Sequence, residues 1–186
     1  LLHETYGSTE AGIVTNIRPH DLLQRPRSVG RAFSCMEIEL RREDGGITDA
    51  GEPGELFCRG PYTFNGYLNR PAETAATLID GWVTVGDIGM RDEAGFITIT
   101  DRKKDMIITG GMNVYPREVE NVIEAVAGVA ECAVVGRPDP EWGEALMAFV
   151  VCAKDRQPSA EEVLSACRAG LAAYKVPKSV IFLDDL

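Results

Sequence analysis

Three short strings hold most of the residue types that could do chemistry. Tyr6-Gly7-Ser8-Thr9-Glu10-Ala11-Gly12 gathers a ring, glycines, hydroxyls and a carboxylate into what reads as one short turn. Glycines let a backbone approach a ligand closely. Hydroxyls can donate to phosphate oxygens, a carboxylate can hold a metal ion and a ring can stack on a base. The same string also suits a polar turn with a packed tyrosine. Gly81-Trp82-Val83-Thr84-Val85-Gly86-Asp87 ends on an aspartate. Aspartate after glycine is usually a turn residue, yet one carboxylate can also accept both hydrogen bonds from a pair of sugar hydroxyls. Asp101-Arg102-Lys103-Lys104-Asp105 is a charge run followed by Thr109-Gly110-Gly111. Charge runs are usually solvated, but this one lies between two apolar strands. Paired glycines at a strand-to-loop transition suggest close passage of a ligand or of another backbone.

The elements that must position these strings change character near residue 101. Before it, β-structure and turns dominate. Glu37-Ile38-Glu39-Leu40-Arg41 alternates as a half-buried strand does. Asp44-Gly45-Gly46 offers a hairpin turn. Gly51-Glu52-Pro53-Gly54 signals another turn before the strand Glu55-Leu56-Phe57-Cys58. Asp92-Glu93-Ala94-Gly95 turns into Phe96-Ile97-Thr98-Ile99-Thr100. After it, the pattern is α/β. Met106-Ile107-Ile108 is a short strand, and Pro116 suits a first helical position. Val119, Val122, Ile123 and Val126 form a helical stripe that Gly128 ends. Strands follow at 130–135 and 146–152. Ser159 with Glu162 makes a capping box for a second helix, whose inner face carries Val163, Leu164, Cys167 and Leu171. A last strand covers 180–183. The expected class is therefore α/β (α+β), with a boundary near 101–105.

Composition narrows the function. The chain has 186 residues, room for one medium domain or two small ones. With 45% apolar and 26% charged residues it reads as a soluble globular protein. No apolar run approaches the ~20 residues of a membrane-spanning helix. A net charge of −10 argues against a general nucleic-acid binder, though not against a nucleotide pocket. Cys35, Cys58, Cys132, Cys152 and Cys167 are widely spaced, and His3 and His20 are the only imidazoles, so a zinc site is not expected. Most of these cysteines read as buried, reduced thiols of a cytoplasmic protein. There is no initiator methionine or signal-peptide core, and the chain stops at Asp184-Asp185-Leu186. Both ends are expected to be cuts through a longer protein.

In this order the strings resemble the adenylate-forming superfamily, which includes acyl-CoA synthetases, amino-acid adenylation domains and beetle luciferases. Tyr6-Gly7-Ser8-Thr9-Glu10 is similar to its Tyr-Gly-x-Thr-Glu motif. Gly54-Glu55-Leu56 through Gly66-Tyr67-Leu68-Asn69-Arg70-Pro71 is similar to its Gly-Glu-Leu … Gly-Tyr … Arg-Pro stretch. Gly81-Trp82 … Gly86-Asp87 is similar to its Gly-Trp-x-x-Thr-Gly-Asp motif, except that Val85 stands where threonine is usual. Asp101-Arg102 through Tyr115-Pro116-Arg117-Glu118-Val119-Glu120 is similar to its linker and the start of its mobile small domain. The resemblance implies that residues 1–101 are the β-rich end of the large AMP-binding domain. Residues 102–186 would be the small carboxy-terminal domain, a short sheet flanked by helices, cut before the family's catalytic lysine.

The resemblance also implies roles. Tyr6 would stack on adenine beside Gly7 and Ser8. Thr9 would contact the phosphate of AMP, and Glu10 would help to hold Mg²⁺. Asp87 would bind the ribose hydroxyls next to Arg102, with Ile99 in the same nucleotide-binding set. Lys104 would be the hinge. Gly110 and Gly111 would border a coenzyme A tunnel. Lys178, and after it Lys175, would meet the nucleotide end of CoA unless both are merely solvated. The implied reaction joins a carboxylic acid to ATP and then to CoA. Carboxylate and triphosphate are both anions, so Mg²⁺ and cationic groups must offset their repulsion. Two chemistries in one cleft suit a moving lid. Met106–Pro116 resembles the acyl- and aryl-CoA ligase form of this segment. An adenylation domain loading a carrier protein would instead have polar or basic residues after the hinge. A fragment serving as a non-catalytic interaction module is a third reading. The acid and the oligomeric state are open, and a homo-oligomer through uncovered apolar surface is one outcome.

Overall fold

The computed structural model describes residues 2–186 and divides the chain into two compact units, Leu1–Lys103 and Lys104–Leu186.

In the first unit, β1 (Glu4–Ser8) and β2 (Gly12–Ile17) form an antiparallel hairpin. After α1 (Pro19–Gln24), β3 (Arg31–Ala32) pairs with β2 to complete a three-stranded sheet. A second sheet follows from β4 (Glu37–Arg41), β5 (Gly54–Arg59), β6 (Leu78–Ile79), β7 (Trp82–Val83), β8 (Asp87–Arg91) and β9 (Ile97–Arg102), with α2 (Pro71–Thr77) inserted before β6. Its order is β6-β7-β5-β8-β9, with β4 also on β5. Val14, Leu40, Leu56, Cys58, Val83 and Ile97, drawn from both sheets, are the heart of the unit's core. The sheets are stitched at Ile97: its carbonyl accepts from Val29 N–H at 2.9 Å and Ser28 Oγ at 2.7 Å, and its N–H donates to Gly30 at 2.8 Å.

β4 and β5 match the expected alternating segments. The strand expected at 96–100 runs instead from Ile97 to Arg102. The first two residues of the charge run are therefore sheet residues, and the chain divides only after Lys103. Two helices, α1 and α2, appear in the part expected to be mainly strands and turns. Each begins with proline and neither buries a residue, so no apolar stripe announced it.

The 3₁₀ turn Lys103–Asp105 begins on the last residue of the first unit and runs into the second. The second unit contains β10 (Ile107–Thr109), β11 (Met112–Val114), α3 (Pro116–Glu124), β12 (Val129–Asp139), β13 (Gly143–Cys152), α4 (Ala160–Gly170) and β14 (Ser179–Leu183). The sheet order is β11-β10-β13-β12, and β14 lies parallel to β13. Pro116 opens α3 and the Ser159–Glu162 capping box opens α4, as expected. Val119 and Ile123 of α3 and Val163 and Cys167 of α4 close over Leu146, Ala148 and Val150 of β13. These three β13 residues alternate along the strand, so they share the sheet face on which both helices pack.

The five cysteines are free. Burial pushes the Cys58 thiol up to about 11, which makes it inert at neutral pH. Burial is less general than expected: Cys58 and Cys167 are buried, Cys132 and Cys152 are half-buried, and Cys35 is exposed with φ of 66°.

Candidate nucleotide site

A cleft of about 800 Å³ lies within the first unit. The sheet register builds its floor. Asp87 opens β8 and pairs with Arg102 at the end of β9. This pairing leaves Asp87 only 6% exposed. Its Oδ2 accepts a short hydrogen bond from the Tyr6 hydroxyl, and its Oδ1 lies 3.2 Å from Arg102 Nε. Burial, followed by the hydrogen bond to Asp87 and its charge, pushes the Tyr6 hydroxyl far above the usual phenol range. Tyr6 is thus a neutral donor fixed to Asp87, and each carboxylate oxygen keeps a further acceptor position for a ligand hydroxyl.

The first string is not one turn. Tyr6, Gly7 and Ser8 end β1, Thr9, Glu10 and Ala11 make the connection, and Gly12 starts β2. Ser8 Oγ accepts from the Ala11 N–H at 3.1 Å, which closes the turn. Gly7 has a local reason to be glycine: a Cβ there would stand 1.9 Å from the Gly12 carbonyl oxygen. The hairpin's own backbone, not a ligand's approach, excludes a side chain. Glu10 faces the cleft and accepts from the Tyr67 hydroxyl at 2.6 Å. That bond holds the Glu10 carboxyl below its ordinary range. An ionised carboxylate is a hard donor of the kind Mg²⁺ takes. Among the described residues no group of three or more His, Cys, Asp or Glu is arranged to hold a metal. An ion at Glu10 would complete its shell with phosphate oxygens and water, as Mg²⁺ commonly does.

Tyr6, Gly7, Ser8, Glu10, Asp87 and Arg102 all line this cleft. Two other candidates do not. Thr9 sits exposed on the connection, outside the lining. Ile99 lies in β9 opposite Gly89 and packs against the core, because alternation turns it inward. Val85 does line the cleft at 37% exposure, an apolar group in a polar wall. The neighbouring Thr84 hydroxyl is turned away to Glu55 Oε1, 2.8 Å distant. Glu55, Tyr67, Thr77, Thr84 and Lys103 also line it, and the residue reading had not singled them out as site residues. Glu55 and Tyr67 did lie inside quoted motifs, but only folding shows which way they face.

In the second unit, Gly110 and Gly111 form the two-residue turn between β10 and β11, with φ of 57° and 76°. Paired positive values are what a tight hairpin with the sheet's twist requires. Gly110 also abuts Trp142: a Cβ there would stand 2.9 Å from the ring, while Gly111 faces open space. Lys178 Nζ sits 4.6 Å from the centre of the same ring. Gly110, Trp142 and Lys178 thus make one surface, and Trp142 is a member that residue spacing had not indicated. Lys175 is committed elsewhere: its Nζ grips both Glu118 oxygens at 2.8 and 2.6 Å, tying the 3₁₀ turn Ala173–Lys175 to α3. Lys104 is exposed within the turn between the units.

The chain belongs to the adenylate-forming superfamily. Residues 1–68 match the AMP-binding enzyme family, and residues 118–186 match the AMP-binding enzyme C-terminal domain. A long-chain-fatty-acid–CoA ligase of Yersinia pestis is 45% identical over 185 residues, which is 100% of this chain and 33% of that protein. An indoleacetate–CoA ligase of Aromatoleum aromaticum is 41% identical over 186 residues, 100% of this chain and 36% of that protein. The structure is similar to ATP-bound MatB from Rhodopseudomonas palustris, with a TM-score of 0.91, 39% identity, and coverage of 100% of this chain and 37% of that one. The chain therefore spans about a third of the length of the curated relatives it matches.

Proposed function

We propose that the intact protein is an AMP-forming acid–thiol ligase. It activates a carboxylic acid as acyl-AMP, releases pyrophosphate, then transfers the acyl group to CoA and releases AMP. The observation that carries this reading is the convergence of Tyr6, Glu10, Asp87 and Arg102 on one cleft, in a chain at least 41% identical to two CoA ligases.

In this reading Asp87 accepts from the ribose hydroxyls, while Tyr6 and Arg102 hold its carboxylate in place. Tyr6 stacks its ring on the base, and the Ser8 hydroxyl at the end of β1, with Thr9 on the connection that follows, serves the phosphates. Mg²⁺ bound with ATP offsets phosphate charge, with Glu10 as its protein ligand. Lys104 is the pivot for the half-reactions, consistent with its exposed position after the last sheet pairing. Gly110, Lys178 and Trp142 form the CoA-facing surface, where a cation and an aromatic face suit the nucleotide end of CoA. Lys175 is the weaker candidate, because its ammonium is already held by Glu118.

Exchange of labelled pyrophosphate into ATP tests the first half. In the intact protein it should require both a carboxylic acid and Mg²⁺, and Asp87→Ala should lower it by roughly a hundredfold through lost ribose hydrogen bonds. Exchange indifferent to added acid, or untouched by Asp87→Ala, would count against the reading. If the second half instead serves a carrier protein, AMP release would respond to that carrier and not to free CoA.

A further inference from the structure

Next to the Asp87–Arg102 pair, four hydrogen bonds close a ring. Glu55 on β5 accepts from Thr84 Oγ1 at 2.8 Å through one carboxylate oxygen and from Lys103 Nζ at 2.7 Å through the other. The Gly86 N–H donates to Thr84 Oγ1 at 3.2 Å. The Lys103 N–H donates to the Gly86 carbonyl at 2.7 Å. The ring thus runs Glu55, Thr84, Gly86, Lys103 and back to Glu55. Gly86 precedes Asp87 in the chain and Lys103 follows Arg102, so the ring clamps both backbones one residue beyond the pair. Its carboxylate is sheltered, with the Glu55 side chain 15% exposed against 55% for Lys103.

We propose that Glu55 is a positioning residue for the nucleotide site, acting through Thr84 and Lys103 to hold Asp87 and Arg102 at ribose-binding distance. The inference rests on the nucleotide reading above. Without the ring, the residue that follows β9 would be an unanchored, exposed lysine and the loop 84–86 would depend on a glycine with φ of 80°. Such a glycine is conformationally permissive and does not hold a loop by itself. An ion pair with a mostly exposed lysine adds little to global stability. The clamp is therefore a local device whose loss should register in ligand affinity before it registers in folding. It also places the last fixed backbone point at Lys103, immediately before Lys104.

The test uses the intact protein, with AMP affinity and thermal midpoint measured side by side. Lys103→Met removes the ammonium at nearly constant length, Glu55→Gln removes the negative charge, and Lys103→Arg keeps the cation. Lys103→Met and Glu55→Gln should each weaken AMP binding by roughly tenfold, and the double variant should be little worse than either, because both break one interaction. Lys103→Arg should recover most of the affinity, and the midpoint should move by no more than about 2 °C in the Lys103 variants. Unchanged AMP affinity in both single variants, or fully additive losses in the double variant, would overturn the clamp while leaving the nucleotide reading intact. A parent protein that binds no AMP at all would overturn both.

Discussion

Asp87 is held on both sides before any ligand arrives, by the Tyr6 hydroxyl and the Arg102 guanidinium. Its place in a Gly-Asp string was legible from sequence, but its partners were not. Tyr6 is 81 positions away in the chain, and nothing local signals that separation. Glu10 is similar, since its role as a carboxylate was readable but the Tyr67 hydroxyl that lowers its titration range was not. The sign follows from that lowering. The bond favours the ionised form, so its contribution is present above the ordinary glutamate range and is lost as pH falls through the lowered value. Tyr67→Phe should therefore raise the Glu10 titration. The acid limb of Mg²⁺-dependent ATP binding should move to higher pH, with the plateau near neutral pH little changed. Affinity measured from pH 4 to 8 checks this, and an acid limb that stays put would detach Tyr67 from Glu10.

At the scale of elements, the legible parts were those with a strong period or a cap. β4, α3 and α4 follow their apolar stripes and their start signals. The long hairpin was only half visible: the strand expected at 130–135 runs as β12 from Val129 to Asp139, through Pro138. Proline is tolerated there because, among the described residues, β12 pairs with β13 alone and leaves its other edge unpaired. The glycine pair at 110–111 read as close passage of a ligand or of another backbone, and the β10–β11 turn accounts for it locally. Stability measurements can separate these contributions. Ser159→Ala removes the hydroxyl that accepts from the Glu162 N–H, and should cost about 1 kcal/mol in denaturant unfolding of the second unit. Gly110→Ala forces a side chain into positive φ against Trp142, and should cost about 1–3 kcal/mol. A neutral Gly110→Ala would mean that the turn does not need glycine at that position.

At the scale of the whole molecule, the change of pattern near residue 101 was legible because β-rich alternation gives way to helical stripes. The last paired residue was not, since a charge run carries no register. Arg102 belongs to the first unit by its pairing with Asp87, and Lys104 stands just beyond it. A pivot at Lys104 makes one demand on kinetics. Lys104→Pro in the intact protein fixes φ and should leave acyl-adenylate formation largely intact while lowering thioester formation by roughly tenfold or more. Single-turnover measurement of each half-reaction checks this, and equal loss in both would argue against a hinge there.

The central claim is that the Asp87 cleft serves a carboxylic acid's passage through AMP to a thiol. The most direct measurement incubates the intact protein with ATP, Mg²⁺ and a panel of fatty and aromatic acids, with and without CoA, and follows nucleotides and thioesters by mass spectrometry. The account predicts AMP and acyl-CoA in equal amounts, both dependent on the acid, and both lost in Asp87→Ala. ADP as the nucleotide product, or AMP formed without any acid, would contradict it.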